Sequence, residues 1–523
     1  MTILYARLGG TSLRLFPFSI NQLPLLFFLF TLKSFLLLHQ NYSMLKVLVA
    51  NRGEIAIRVM KTLRKMGIRT VAVYSEADEH AKHVRYADEA VCIGPAPSIE
   101  SYLNQNKILE VAKKYNVDGI HPGYGFLSEN AEFARKLKAN GIKLIGPSPE
   151  SMEIMGSKLG AKDAVKKFNI PMVPGTDTPI DDFDEAINIA QTIGFPVLIK
   201  ASAGGGGKGM RIVQNKEEMA EQIQLAMNEA KAAFGDSSVF IEKYISSPKH
   251  IEVQIMADQH GNTLYLNERE CSIQRRHQKV VEEAPSPAIS PALRKEMGEA
   301  AVNVARSCNY EGAGTVEFLL DENKKFYFLE MNTRLQVEHP VTECITGLDL
   351  VELQVRVARG EKLPLVQEDV KLIGHSIELR LYAEDPEDNF MPSINVLKKY
   401  KLPEGEGIRV DNGIDEGMMV PIYYDPMLAK LIVHAPTRSA AIQKMKEAIQ
   451  QFEIEGIANT LNFGAYVMNH PGFISGNFDT HFVQKYWNKE EIAKTFSESS
   501  MVSALVSKYL LYASKEHLTI PRG

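Results

Sequence analysis

Only four cysteines occur in 523 residues, and Cys92, Cys271, Cys308 and Cys344 lie too far apart to form a CxxC pair. This scarcity excludes a disulfide framework and a thiolate zinc site, and it suits a reducing cytoplasm. A dominant charge is missing as well. The formal net charge is -5 with both signs interspersed, so the chain offers no basic stripe or tail for nucleic acid or an anionic membrane. Long hydrophobic runs are also lacking. Leu23 to Leu38 is interrupted by Pro24, Thr31, Lys33 and Ser34 and falls short of the ~20 residues of a bilayer span. Residues 1–43 contain no Asp or Glu, show no small-residue cleavage site after that run, and lack the arginine-rich pattern of a transit peptide. They are expected to be an extension outside the fold, with Met44 as the natural start.

What is present is globular: 45% hydrophobic and 24% charged residues over a length that calls for about three or four domain-sized units. From Met44 the texture alternates strand and helix. Val47 to Ala50 is a short apolar run, Ile55, Val59, Met60 and Leu63 follow at helical spacing, and Gly67 is a stop. Thr70 to Tyr74, Val117 to Ile120 and Lys143 to Ile145 read as further strands, and the glycine-rich HPGYGFLSEN (His121 to Asn130) sits where a loop at the carboxyl end of a parallel strand belongs. Residues 44–155 therefore read as a doubly wound α/β domain without a GxGxxG fingerprint. Residues 158–363 carry a glycine-rich loop, long strands and paired acids, with a lid over about 172–245. Residues 372–487 mix strands with a helix whose apolar stripe is Ile442, Met445, Ile449 and Phe452. Residues 488–523 read as one or two peripheral helices.

Several stretches carry chemistry. In GFPVLIKASAGGGGKGM (Gly194 to Met210) an apolar strand ends in Lys200 and runs into Gly204, Gly205, Gly206 and Gly207. Side-chain-free backbone can close over a polyphosphate and aim N–H groups at it while Lys200 supplies a point charge. An ordinary surface loop would look similar. TVEFLLDENKKFYFLEMN (Thr315 to Asn332) reads as two strands around Asn323-Lys324, and a tight turn there places Glu317 opposite Glu330, with Asn332 on the same face. Facing carboxylates repel. A divalent cation removes that penalty, and carboxylate and amide oxygens are the hard donors Mg²⁺ prefers. Past Asn332, Arg334, Gln336 and Glu338 alternate with Leu335 and Val337, so extended backbone would line up a cation, an amide and a base for a small planar anion. Arg269, Arg275, Arg276, His277 and Lys279 form a basic run, interspersed with Glu270, Glu282 and Glu283. Such a run is often a solvated face, and its acids argue instead for a structured site.

Taken together, ANRGEIAIR (Ala50 to Arg58), HPGYGFLSEN, KASAGGGGKGM, QRRHQKVVEEAPSP (Gln274 to Pro287), EMNTRLQVEHPVTE (Glu330 to Glu343) and YDPMLAKL (Tyr424 to Leu431) resemble biotin carboxylase, an ATP-grasp family, over residues 44 to about 487. The resemblance implies a Rossmann-like pre-ATP-grasp domain, an ATP-grasp domain with a glycine-rich lid, and a biotin carboxylase C-terminal domain. It implies nucleotide contacts from Lys158, Lys200, Gly204 to Gly207, Glu242, Lys243, Tyr244, Ile245, His250, Gln274 and His277, with Glu317 and Glu330. It implies metal ligation by Glu317, Glu330 and Asn332, and a bicarbonate pocket of Lys279, Arg334, Gln336, Val337 and Glu338. Arg380, in ELRLYAEDP, matches the arginine near the biotin ureido oxygen.

The implied activity is ATP-dependent carboxylation of biotin on a separate carrier protein, with Mg²⁺ or Mn²⁺, a carboxyltransferase partner and a homodimer in the cytoplasm. The final acceptor, whether acetyl-CoA, propionyl-CoA or pyruvate, is left open. Competing readings are another ATP-grasp ligase with an acyl-phosphate intermediate, or a silent nucleotide-binding assembly subunit. The chain lacks an A-M-K-M acceptor loop: Lys444-Met445-Lys446 falls inside the striped helix.

Overall fold

The computed structural model describes residues 44–176, 178–201, 210–234, 237–276 and 278–488, with isolated residues between 502 and 509. The N-terminal extension, the glycine loop Gly204 to Gly207 and His277 lie outside the described residues. No helix among the described residues is long and apolar enough to cross a membrane.

The first strands form a parallel sheet of β1 (Lys46–Val49), β2 (Arg69–Ser75), β3 (Glu89–Gly94), β4 (Gly119–His121) and β5 (Lys143–Leu144), in the order β3-β2-β1-β4-β5. Val47, Leu48 and Val49 are wholly buried, as a strand covered on both faces requires. The expected helix spans Gly53–Lys65 and buries Ile55, Val59, Met60 and Leu63. The sequence reading passed over β3, whose half-buried Glu-Ala-Val and exposed Cys92 give little apolar contrast at the sheet edge. Strand order reverses between β1 and β4, so the loops leaving their carboxyl ends diverge and leave a crevice. Asn51 bridges these loops, donating to the carbonyls of Pro122 and Tyr124, both at 2.7 Å.

A small antiparallel sheet of β6 (Val197–Ala201), β7 (Met210–Val213) and β8 (Val239–Lys243) is packed against helices Phe183–Ile193 and Lys216–Phe234. The remaining sheet has eight strands. β9 (Lys249–Ala257), β10 (Thr263–Arg275), β11 (Gln278–Ala284), β12 (Gly312–Leu320), β13 (Phe326–Asn332) and β14 (His375–Tyr382) join strands Ile408–Asn412 and Met427–Ala435 in the order β13-β12-β9-β10-β11-β14-(427–435)-(408–412). Because β11 pairs with β14, one sheet runs from the paired-acid hairpin into the C-terminal region. The striped helix spans Arg438–Gln451 with Met445 fully buried, and Phe452 caps it.

Two glycines fix how the C-terminal region meets the first helix. Gly53 has φ +63°, a left-handed turn that lets the chain leave β1 and enter the helix at once. A Cβ on Gly413 would sit 2.5 Å from the Glu54 amide nitrogen, so only bare backbone fits there.

Candidate active site

The acid pairing arises by a different route from the expected tight turn. Near the turn Leu320 pairs with Phe326 and Phe318 with Phe328, and the loop is closed by Asp321 N–H donating to the Lys325 carbonyl at 2.9 Å. Lys324 adopts φ 62° inside this longer turn. A bulge at Leu329 then shifts the register, and Glu317 faces Glu330. The bulge also turns Leu329 outward, where it lines a large cavity.

The extended row expected beyond Asn332 is not formed. β13 ends at Asn332, the backbone bends through Arg334, and Glu338 is the N-cap of helix His339–Thr346. Pro340 at the second helical position favours a helix start there, which overrides the period-2 alternation. The bend still gathers the three polar side chains. Gln336 donates to Glu317 Oε1 at 2.7 Å, and Arg334 donates to Asn332 Oδ1 at 2.8 Å and to Glu129 Oε2 at 2.9 Å.

Lys279 sits at the centre, bonded to Glu252, to Glu317 at 3.0 Å and to Glu338 at 2.7 Å. Burial alone would lower its pKa; these carboxylates outweigh it and raise it well above the ordinary lysine value. Glu317 and Glu338 are buried too, yet both are held well below the usual carboxylate range, Glu317 by Lys279 and His250, Glu338 by Lys279, Arg380 and Arg269. His250 Nε2 lies 2.9 Å from Glu317 Oε2, and Asn332 Nδ2 donates to Glu317 Oε1 at 2.9 Å. Arg380 extends the chain of charge from Glu338 Oε2, at 2.8 Å from Nη2, to Glu282 Oε1, at 2.6 Å from Nε. The Val337 carbonyl accepts from Lys430 Nζ at 2.7 Å.

These residues border two cavities. The larger, about 1760 Å³, is lined by Tyr244, Ile245, His250, Gln274, Lys279, Glu317, Glu330, Asn332, Gln336 and Glu338. The smaller, about 590 Å³, opens at the crevice beyond β1 and β4 and is lined by Asn51, Glu54, Tyr124, Gly125 and Tyr424. Arg334, Val337 and Arg380 line both. Two chambers therefore meet at a partition carrying two guanidinium groups. A third cleft, about 920 Å³, beside Lys143, Arg306 and Glu311, gathers none of the expected site residues.

On the small sheet, Lys200 Nζ of β6 pairs with Glu242 Oε2 of β8 at 2.5 Å, and Lys162 with Glu242 Oε1 at 3.3 Å. Lys243 Nζ donates to the Gly194 and Phe195 carbonyls at 2.9 and 2.7 Å. Lys158 is the first residue of helix Lys158–Lys166, and its side chain is not among those described.

Family comparisons agree with this architecture. The "Biotin carboxylase, N-terminal domain" model matches residues 43–152, the "Carbamoyl-phosphate synthase L chain, ATP binding domain" model 157–366, and the "Biotin carboxylase C-terminal domain" model 378–485. The biotin carboxylase of Halalkalibacterium halodurans is 55% identical over 84% of this chain and 97% of its own length. The chain belongs to the biotin carboxylase family. The α chain of propionyl-CoA carboxylase from Ruegeria pomeroyi is 54% identical over 84% of this chain and 67% of its own length. Among solved structures, the biotin carboxylase domain dimer of Hydrogenobacter thermophilus 2-oxoglutarate carboxylase, in complex with MgADP, ADP and bicarbonate, superposes with a TM-score of 0.77. It is 47% identical and covers 84% of this chain and 97% of that one.

For this biotin carboxylase family member, sequence reasoning overlooked the buried supports. Glu252 is fully buried and bonds both Lys279 and Arg269. His250, Glu252 and Gln254 occupy alternate positions in β9, all buried, and that spacing was the readable signal. Arg269, the first residue of the basic run, is 0% exposed and not part of a solvated face. Glu129, Glu54 and Tyr124 lie far away in sequence, inside the quoted ANRGEIAIR and HPGYGFLSEN, but nothing local to those strings showed that they reach this site.

Proposed function

We propose that this chain is the biotin carboxylase component of an acyl-CoA or keto-acid carboxylase, transferring a carboxyl group from bicarbonate to carrier-borne biotin at the expense of ATP. The shared wall of Arg334, Val337 and Arg380 between two cavities carries the reading, because the reaction must pass one reactive group from an ATP chamber to a biotin chamber.

In this reading the large cavity takes ATP, with Lys200 and Lys158 on its phosphates. Carboxylate oxygens of Glu317 and Glu330 and the Asn332 amide suit Mg²⁺ or Mn²⁺: Glu330, exposed toward the cavity, is pushed up by partial desolvation and by Glu317 opposite, and has no ion-pair partner among the described residues. A cation held there would neutralise phosphate charge. Lys279 and Arg334 hold bicarbonate, and Glu338 takes its proton as the oxygen attacks the γ-phosphorus, giving carboxyphosphate and ADP. Carboxyphosphate breaks down to CO₂ and phosphate, the phosphate deprotonates biotin N1′, and N1′ attacks CO₂. Arg380 stabilises the ureido oxygen as negative charge develops there.

Domains at 44–155, 158–363 and 372–487, a homodimer, a cytoplasmic setting, and separate carrier and carboxyltransferase chains complete this reading. Relatives named for propionyl-CoA and for 2-oxoglutarate leave the acceptor to the partner.

Arg380→Ala is expected to reduce biotin carboxylation more than bicarbonate-dependent ATP cleavage, since its role begins after carboxyphosphate has formed. Equal loss of both, measured with free biotin and with a coupled ADP assay, would move Arg380 to the ATP chamber. Glu330→Gln keeps the shape and removes a ligand charge, so the Mg²⁺ concentration for half-maximal ATP cleavage should rise. An unchanged Mg²⁺ titration would take Glu330 out of the ligand set.

A further inference from the structure

Beneath Arg380 lie two acids with no assigned part in the chemistry. Glu282 on β11 and Glu378 on β14 are directly opposite in the antiparallel register, and each is 0% exposed. Cross-strand partners have Cβ atoms only ~5 Å apart, so the carboxyl groups share one buried space. Glu282 Oε1 accepts from Arg380 Nε, but its Oε2 has no hydrogen-bond partner, and neither do both oxygens of Glu378.

The neighbouring cations are already engaged. Arg380, two residues along β14 from Glu378, binds Glu338 through its other edge, with Nη1 3.4 Å from the Tyr382 hydroxyl. Lys430, opposite Arg380 on the next strand, lies 3.4 Å from Glu54 and 3.8 Å from Asp411 and donates to the Val337 carbonyl. Lys279, on β11, has its own three carboxylates. Among the described residues no cation makes an ion pair with Glu378, and the pull of Lys430 and Arg380 on it is outweighed by burial. Two adjacent carboxylates in such a space cannot both stay ionised.

Building on the reading of Arg380 above, we propose that Glu282 and Glu378 hold one proton between them, and that Glu282, through its ionised oxygen on Arg380 Nε, is a positioning residue for the biotin half of the reaction. Glu378 keeps the proton, its carboxyl pushed well above the ordinary range by burial. Glu282 is raised to about 7, by burial first and by Glu338 against the pull of Arg380 and Lys279. The sign follows. Above about pH 7 Glu282 is charged and the guanidinium is clamped at both edges; as pH falls through that value Glu282 gains a proton and the Nε edge loses its charged partner. Biotin carboxylation should therefore have an acid limb near neutrality that ATP cleavage lacks.

The test compares wild type, Glu282→Gln, Glu378→Gln and Arg380→Ala from pH 6 to 9, following free-biotin carboxylation and bicarbonate-dependent ATP cleavage, with thermal midpoints to verify folding. Glu282→Gln should lower carboxylation by about tenfold to a hundredfold, the scale of one charged hydrogen bond, flatten its acid limb and affect ATP cleavage far less. Glu378→Gln replaces a carboxyl that is already protonated with a neutral amide of the same shape, so the limb should stay near neutrality and both activities should be largely kept. Equal loss of both activities in Glu282→Gln, an acid limb that persists in Glu282→Gln, or a limb displaced in Glu378→Gln overturns the inference. If Arg380→Ala itself loses both activities equally, the reading of Arg380 has failed; if Arg380→Ala separates them and Glu282→Gln does not, only the inference has.

Discussion

Glu338→Gln is expected to lower bicarbonate-dependent ATP cleavage by about 10²–10⁴-fold, the usual contribution of a positioned general base, while nucleotide affinity is retained. The amide has the shape of the carboxylate but one acceptor oxygen, so it keeps only one of the hydrogen bonds from Lys279 and Arg380, which reach separate oxygens of Glu338 at 2.7 and 2.8 Å. It cannot take a proton. Those two cations, with Arg269, keep Glu338 far below the ordinary carboxylate range, which by itself makes a weak base. An anion placed on Lys279 and Arg334 would share that positive charge and raise the basicity of Glu338 when it is needed. Near-normal cleavage in the variant, with a normal thermal midpoint, would move the base elsewhere.

Arg269→Met is expected to cost about 3–5 kcal/mol of stability, because removing one member of a buried charged cluster leaves the others uncompensated. Arg269 has no exposed surface and makes five hydrogen bonds, to Glu252, Gln254, Thr342, Thr315 and Gln336. Methionine fills much of the volume but leaves Glu252 with Lys279 alone on its charged oxygens. The thermal midpoint should fall clearly, and activity below that midpoint should fall too, since Gln336 and Lys279 lose a shared support. A midpoint within error of wild type would show that Glu252 is neutralised by other means.

The parallel sheet was legible because β1, β2 and β4 are short runs buried over most of their length, while β5 is only the exposed Lys143 and half-buried Leu144 at the sheet edge. The helix over Arg438–Gln451 was legible through its stripe. The Glu317–Glu330 pairing was anticipated from strand spacing, but with a tight turn where the chain has a longer turn offset by a bulge at Leu329. The predicted straight row through Glu338 failed for a reason present in the sequence: Pro340 marks a helix start, and the alternation of Arg334, Gln336 and Glu338 hid it.

The kind of chemistry was readable along the chain: glycine loop, facing acids and an Arg-Gln-Glu triplet are local patterns, since residues a few positions apart can meet only in a few ways. The tertiary structure alone decided which groups are ionised and where the two chambers touch. Glu54 and Tyr124 from the first domain, Glu252 and Glu282 from the central strands, and Glu378, Arg380 and Lys430 from the last ones converge on one buried network. Charge state inside a protein depends on desolvation and on partners within a few ångströms, and those partners are brought together by the eight-stranded sheet from positions up to hundreds of residues apart.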